Sequence, residues 1–141
     1  MYSQLVKTQE QAICHLFIHC CYKSGEFTES ELDVISGKFV QLGLQHDLNF
    51  KDELQHYKSY VEMIDTEENY IQYLISLVLP TNELALYSYC LELCISDSLI
   101  DDAEAGFLQK LADVLVINDE DQALMQKLFI QRHLVLTQEY F

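Results

Sequence analysis

The chain has 141 residues, half of them hydrophobic and 22% charged, enough to close a core without metals or crosslinks and too apolar for a disordered tail. One proline and four glycines are too few turn formers for an all-β sandwich. Eight Lys and Arg against 23 Asp and Glu give a formal net charge of −15, which disfavours nucleic acid and anionic membranes and leaves basic proteins and cations as fitting partners.

Helical spacing runs through the chain. Leu5, Ala12, Leu16, His19 and Cys20 mark one stripe of a first helix, with Ile13, Phe17 and Cys21 beside it. Gly25 interrupts that run. Thr28 to Glu31 then reads as a capping box, in which the Thr28 hydroxyl caps the next helix and Glu31 reaches back to the exposed amide. That helix carries Leu32, Ile35, Phe39 and Leu42 and stops near Gly43. Asn49 with Asp52 opens a third helix and Thr66 a fourth, which ends before Pro80.

A fifth helix follows Thr81 through Leu84, Tyr87, Leu91 and Cys94. Asp101 to Glu104 repeats the capping-box pattern ahead of Leu108, Leu111, Ala112 and Leu115. Asn118 with Asp121 opens a last helix containing Leu124, Leu128 and Phe129. The expected fold is an all-α, single-domain bundle of about seven helices.

The chain also aligns with itself. Ser24 to Glu31 lies over Asp97 to Glu104 at an offset of 73 residues, and the same offset pairs Cys21 with Cys94, Ile35 with Leu108 and Gly43 with Val116. The expected organisation is therefore a first helical hairpin over about 11–46, an inserted pair over about 49–79, a second hairpin over about 84–119, and a C-terminal helix over about 119–136.

The second turn gathers acid. Between Lys58 and Lys110 there is no Lys, Arg or His, and Asp97, Asp101, Asp102 and Glu104 cluster inside that stretch. At a helix N-terminus the last three oppose the positive end of the macrodipole, which is a structural reason for them. Asp97 sits at the end of the preceding helix, where its charge is unfavourable without a partner. Carboxylates converging on a turn suit a hard divalent cation, although the spacing is not that of an EF-hand loop. The candidate metal residues are Asp97, Asp101 and Glu104, with Glu31 as the first-turn counterpart. Calcium, magnesium or zinc is the candidate ion.

Softer donors are present too. His15 and His19 lie four apart with Cys20 and Cys21 nearby, and Cys90 and Cys94 share another helix face, a conceivable zinc set. No Cys-x-x-Cys or His-Glu-x-x-His pattern accompanies them, so small apolar cysteines between helices are the simpler reading. Tyr57, Tyr60, Tyr70 and Tyr73 are expected to pack with their hydroxyls at the surface, or to form a partner-binding face. No serine elbow, phosphate loop or dinucleotide fingerprint marks an enzyme. The start carries no secretory pattern, since Glu10, His15 and His19 break its apolar run, and no apolar stretch is long enough to span a bilayer. A cytoplasmic location with reduced cysteines is expected.

At these turns the sequence resembles the TerB-like family, which includes tellurite-resistance proteins and the N-terminal domain of a membrane-anchored co-chaperone. The resemblance rests on Leu91-x-Leu93-Cys94-Ile95-Ser96-Asp97, Ile100-Asp101-x-x-Glu104 and Leu108-x-x-Leu111-Ala112-x-x-Leu115, with a fainter version from Phe17 to Leu44. Ser98 replaces the usual Gly and Ser24 the usual Asp. The resemblance implies an all-helical bundle and divalent-metal binding by the positions of Asp97, Glu104 and Glu31. The function expected from the whole is a non-enzymatic acidic interaction domain with a protein partner, possessing a cation-ready turn. A small metal-dependent hydrolase using the same carboxylates, or a purely structural bundle, is the alternative.

Overall fold

A computed structural model describes residues 1–22, 27–95, 100–138 and 141. Among them the regular structure is helical throughout: α1 (Tyr2–Leu5), α2 (Gln9–Cys21), α3 (Glu29–Gln41), α4 (Phe50–Tyr60), α5 (Glu67–Val78), α6 (Glu83–Cys94), α7 (Asp102–Leu115) and α8 (Asp119–Gln138). Single 3₁₀ turns lie at Leu44–His46 and Val61–Met63. The all-α class is as expected. Eight α-helices stand where helical spacing marked seven, the addition being the one-turn α1. Val6 and Lys7 separate it from α2 because Thr8 starts a new helix: its hydroxyl accepts from Gln11 N, and the Gln11 side chain returns the bond to the Thr8 amide.

The chain forms two compact units, Met1–Pro80 and Thr81–Phe141. In the first, α2 packs against α3, α4 and α5. A helix covered on several sides must be apolar around most of its circumference, and Ala12, Cys14, His15, Leu16, Phe17, Ile18, Cys20 and Cys21 of α2 are all buried. Amphipathic α4 and α5 supply Tyr57, Tyr60, Tyr70, Ile71 and Leu74 to the same core. The ring of Tyr2 in α1 stands edge-on to Tyr70, and Tyr73 donates to the Val6 carbonyl at 2.6 Å, which fastens the N-terminus.

In the second unit α6 packs on α7 and α8. Its buried Tyr87, Cys90, Leu91, Leu93 and Cys94 meet an amphipathic α7 that buries Phe107, Leu108, Leu111, Ala112 and Leu115. All five cysteines are buried and none is in a disulfide.

Helices α2 and α3 share details of backbone with α6 and α7. Helix α2 ends at Cys21 and α6 at Cys94, and Thr28 and Asp101 cap the helices that follow. After α3 Gly43 is left-handed at φ 74°, and after α7 Val116 is left-handed at φ 59°. Behind Val116 the chain closes a Schellman motif: Ile117 N–H donates to Ala112 at 2.9 Å and Val116 N–H to Asp113 at 3.3 Å. The C-terminal helix continues through Leu136 to Gln138.

Candidate functional site

Three of the acidic residues singled out in the sequence, Glu31, Asp101 and Glu104, take part in helix caps. Thr28 Oγ1 accepts from Glu31 N–H at 3.1 Å while Glu31 Oε1 accepts from Thr28 N–H at 2.8 Å. At the second turn Asp101 Oδ1 accepts from Glu104 N–H at 2.7 Å, and Glu104 Oε1 accepts from Asp101 N–H at 3.1 Å. Glu104 is buried, whereas Asp101 and Asp102 face solvent. Asp97, like Ser24 and Gly25, lies outside the described residues. Glu31 belongs to the first compact unit and Asp101 with Glu104 to the second. Among the described residues no group of three or more His, Cys, Asp and Glu side chains is arranged to hold a metal ion.

The densest polar chemistry is elsewhere, in the core of the first unit. His15 is wholly buried and Glu53 is 5% exposed; His15 Nε2 lies 2.8 Å from Glu53 Oε1. On the other side of the imidazole Nδ1 lies 2.6 Å from the Tyr60 hydroxyl, which is 2.6 Å from that of Tyr70. One helical turn later the pattern recurs: His19 Nε2 is 2.8 Å from Glu67 Oε2, and its Nδ1 is 2.7 Å from the Tyr57 hydroxyl. Helical spacing of four residues puts both imidazoles on one face of α2. Glu53 and Glu67 both lie in the first turn of their helices, where the macrodipole favours a carboxylate.

Proton positions follow from what each group is able to do. An ionised Glu53 only accepts, so His15 Nε2 donates to it, while Nδ1 meets the Tyr60 hydroxyl, itself hydrogen-bonded to that of Tyr70. Burial pushes the Tyr60 and Tyr70 phenols up, so both remain neutral donors. For Glu53 burial also pushes upward, but the hydrogen bond and charge of His15, the charge of His56 and a hydrogen bond from Gln11 outweigh it and hold the carboxyl below its ordinary range. Burial, then the Glu53 charge, pushes the Cys14 thiol up, which keeps it protonated and unreactive.

This array differs from the expected outward tyrosines. Tyr57, Tyr60 and Tyr70 turn their hydroxyls inward to partners, not outward to water. His15 and His19 face carboxylates and phenols of α4 and α5. The signal available in the sequence was the i, i+4 spacing of the histidines together with Glu53, Tyr57 and Tyr60 on neighbouring turns of α4. Which helix the histidines would face was a matter of tertiary packing. Chemically the array orders α2 against α4 and α5; His15, Tyr57, Tyr60 and Tyr70 are buried, while His19 and Glu67 stay partly exposed.

No family model matches the chain, and no curated protein or solved structure matches it.

Proposed function

We propose that this chain is a non-enzymatic, acidic interaction domain of TerB-like type that engages a basic protein surface, with a divalent cation held at the turn opening α7. The observation that carries the reading is the division of its polar groups. Glu62, Asp65, Glu68, Glu83, Asp101 and Asp102, all within the stretch lacking basic residues, face solvent, while the nucleophile-like and acid–base-like side chains Cys14, His15, Tyr60 and Tyr70 are buried. A surface of one sign steers oppositely charged partners and repels nucleic acid.

The TerB-like assignment draws support from the two capped entries at Thr28 and Asp101 and from the left-handed exits at Gly43 and Val116, which we interpret as two related helical hairpins. No helix among the described residues is long and apolar enough to cross a membrane.

Fluorescence anisotropy with a labelled Lys- and Arg-rich amphipathic peptide tests the interaction reading. Salt-sensitive binding that weakens in Asp102→Lys is expected, and absence of binding at low salt overturns it. Calorimetric titration with calcium, magnesium, manganese and zinc, on native protein and on Asp97→Ala and Asp101→Ala, tests the cation. Heat that vanishes in both variants is expected; no heat with the native chain removes the cation from the proposal.

A further inference from the structure

Helix α8 has a fixed inner face. Gln122 donates to the Ile117 carbonyl at 2.9 Å, Gln126 donates to the Tyr87 hydroxyl at 3.0 Å, and Phe129, Arg132, His133 and Leu136 line a groove with Glu92 and Ile95 of α6. Positions 122, 126, 129 and 133 follow the 3.6-residue repeat, so the opposite side carries Glu120, Leu124, Lys127, Leu128 and Gln131, all exposed. Leu124 is 66% exposed and Leu128 is 50% exposed, one turn apart.

The charge on α8 is ordered along its length. Asp119, Glu120 and Asp121 occupy the first turn, and no acid follows from Gln122 to Gln138, where Lys127, Arg132 and His133 lie. Such a helix complements its own reverse. We propose that the outer face of α8 binds a second copy of this chain, two α8 helices pairing antiparallel across a two-fold axis.

With Leu124 of one copy against Leu128 of the other, the same contact recurs by symmetry, and both leucines leave water. Asp121 and Arg132 are eleven residues apart, about three turns, and so share a flank of the helix. In this register Asp121 meets Arg132 of the second copy to within one residue, about 1.5 Å along the axis. Arg132 is exposed at the rim of the inner groove, its guanidinium 5.1 Å over the Phe129 ring, so pairing with a second copy draws it outward from that contact. Parallel pairing would set the three acids of one helix against those of the other, and like charges facing one another make that arrangement costly.

Sedimentation equilibrium of the full chain at about 100 µM and about 150 mM salt is the test, because such a dimer is weak and its contact pairs must act against the repulsion between two chains of charge −15, which salt screens. The native chain is expected to show a reversible monomer–dimer equilibrium. Leu124→Ser/Leu128→Ser, with unchanged helical circular dichroism, is expected to be monomeric. Asp121→Lys and Arg132→Glu each bring like charges together and weaken self-association roughly tenfold. Their equimolar mixture restores both opposite-charge pairs and regains native association. A native chain that is monomeric at that concentration overturns the proposal. So does a leucine variant that still dimerises, or a mixture that associates no better than its components.

Discussion

His15 is wholly buried, so its two ring nitrogens have only the groups that surround it as partners: Glu53 on one side and Tyr60 on the other. Removing one member of such a buried pair leaves the other unsatisfied, so Glu53→Ala is expected to lower unfolding free energy by about 3 kcal/mol in urea denaturation. Tyr60→Phe breaks the chain between His15 and Tyr70 and is expected to cost about 1–3 kcal/mol, the penalty of orphaned buried polar groups. The pH dependence has a definite sign. Glu53 is held below its ordinary value of 4.5 in the folded chain, so its contribution is full above that value and is lost as pH falls through the lower folded value. The stability difference between native chain and Glu53→Gln should therefore shrink on acidification below about 4.5, measured by denaturant midpoints across pH. A difference that stays constant over that range would show that the carboxylate is not held this way.

At the scale of elements, the ends of helices carry as much information as their faces. Asp101 satisfies an orphan amide of α7 and draws the Glu104 side chain back over its own amide. Asp101→Ala is expected to destabilise the chain by about 1 kcal/mol, read from the denaturant midpoint at unchanged m-value. The exit of α7 is less well chosen. Val116 adopts a left-handed backbone that a β-branched residue enters at a cost, and at 89% exposure its side chain returns little by burial. Val116→Gly removes that strain but frees the unfolded chain, so the expected net gain is about 0.5–1 kcal/mol. A loss on thermal or chemical denaturation would mean that the exposed valine makes an interaction of its own. The matching position after α3 is Gly43, which adopts the same conformation without penalty.

For the whole molecule the governing quantity is charge. With 23 acids against eight Lys and Arg, folding concentrates like charge on each compact unit. Screening relieves that repulsion, so Tm is expected to rise as salt increases from about 10 mM to about 150 mM, where the Debye length falls from about 30 Å to about 8 Å. A flat or falling Tm would show that favourable charge pairs outweigh the repulsion.

Helix existence and helix starts were legible from residues alone because both are local. A cap such as Thr28 or Asp101 bonds to an amide three residues away, and an apolar stripe in α7 repeats every turn, so neither needs distant chain to be recognised. Local patterning also pointed to Asn49 and Asn118, whose side chains accept from Asp52 and Asp121. Thr8 was missed although its pattern is equally local, since the apolar residues on both sides made Leu5 to Cys21 read as one helix.

The polar core was decided only by the tertiary structure. His15 and Glu53 are 38 residues apart and His19 and Glu67 are 48 apart, and nothing in either neighbourhood specifies which helix faces which. Tyrosines read as surface-directed instead became buried and hydrogen-bonded, because α2 brings imidazole nitrogens to meet them. Sequence alone determined the all-helical class, the acid excess and the capped helix starts, through interactions that span a few residues. Packing decided which titratable groups would lose water and find one another, because desolvation depends on every element that closes over them.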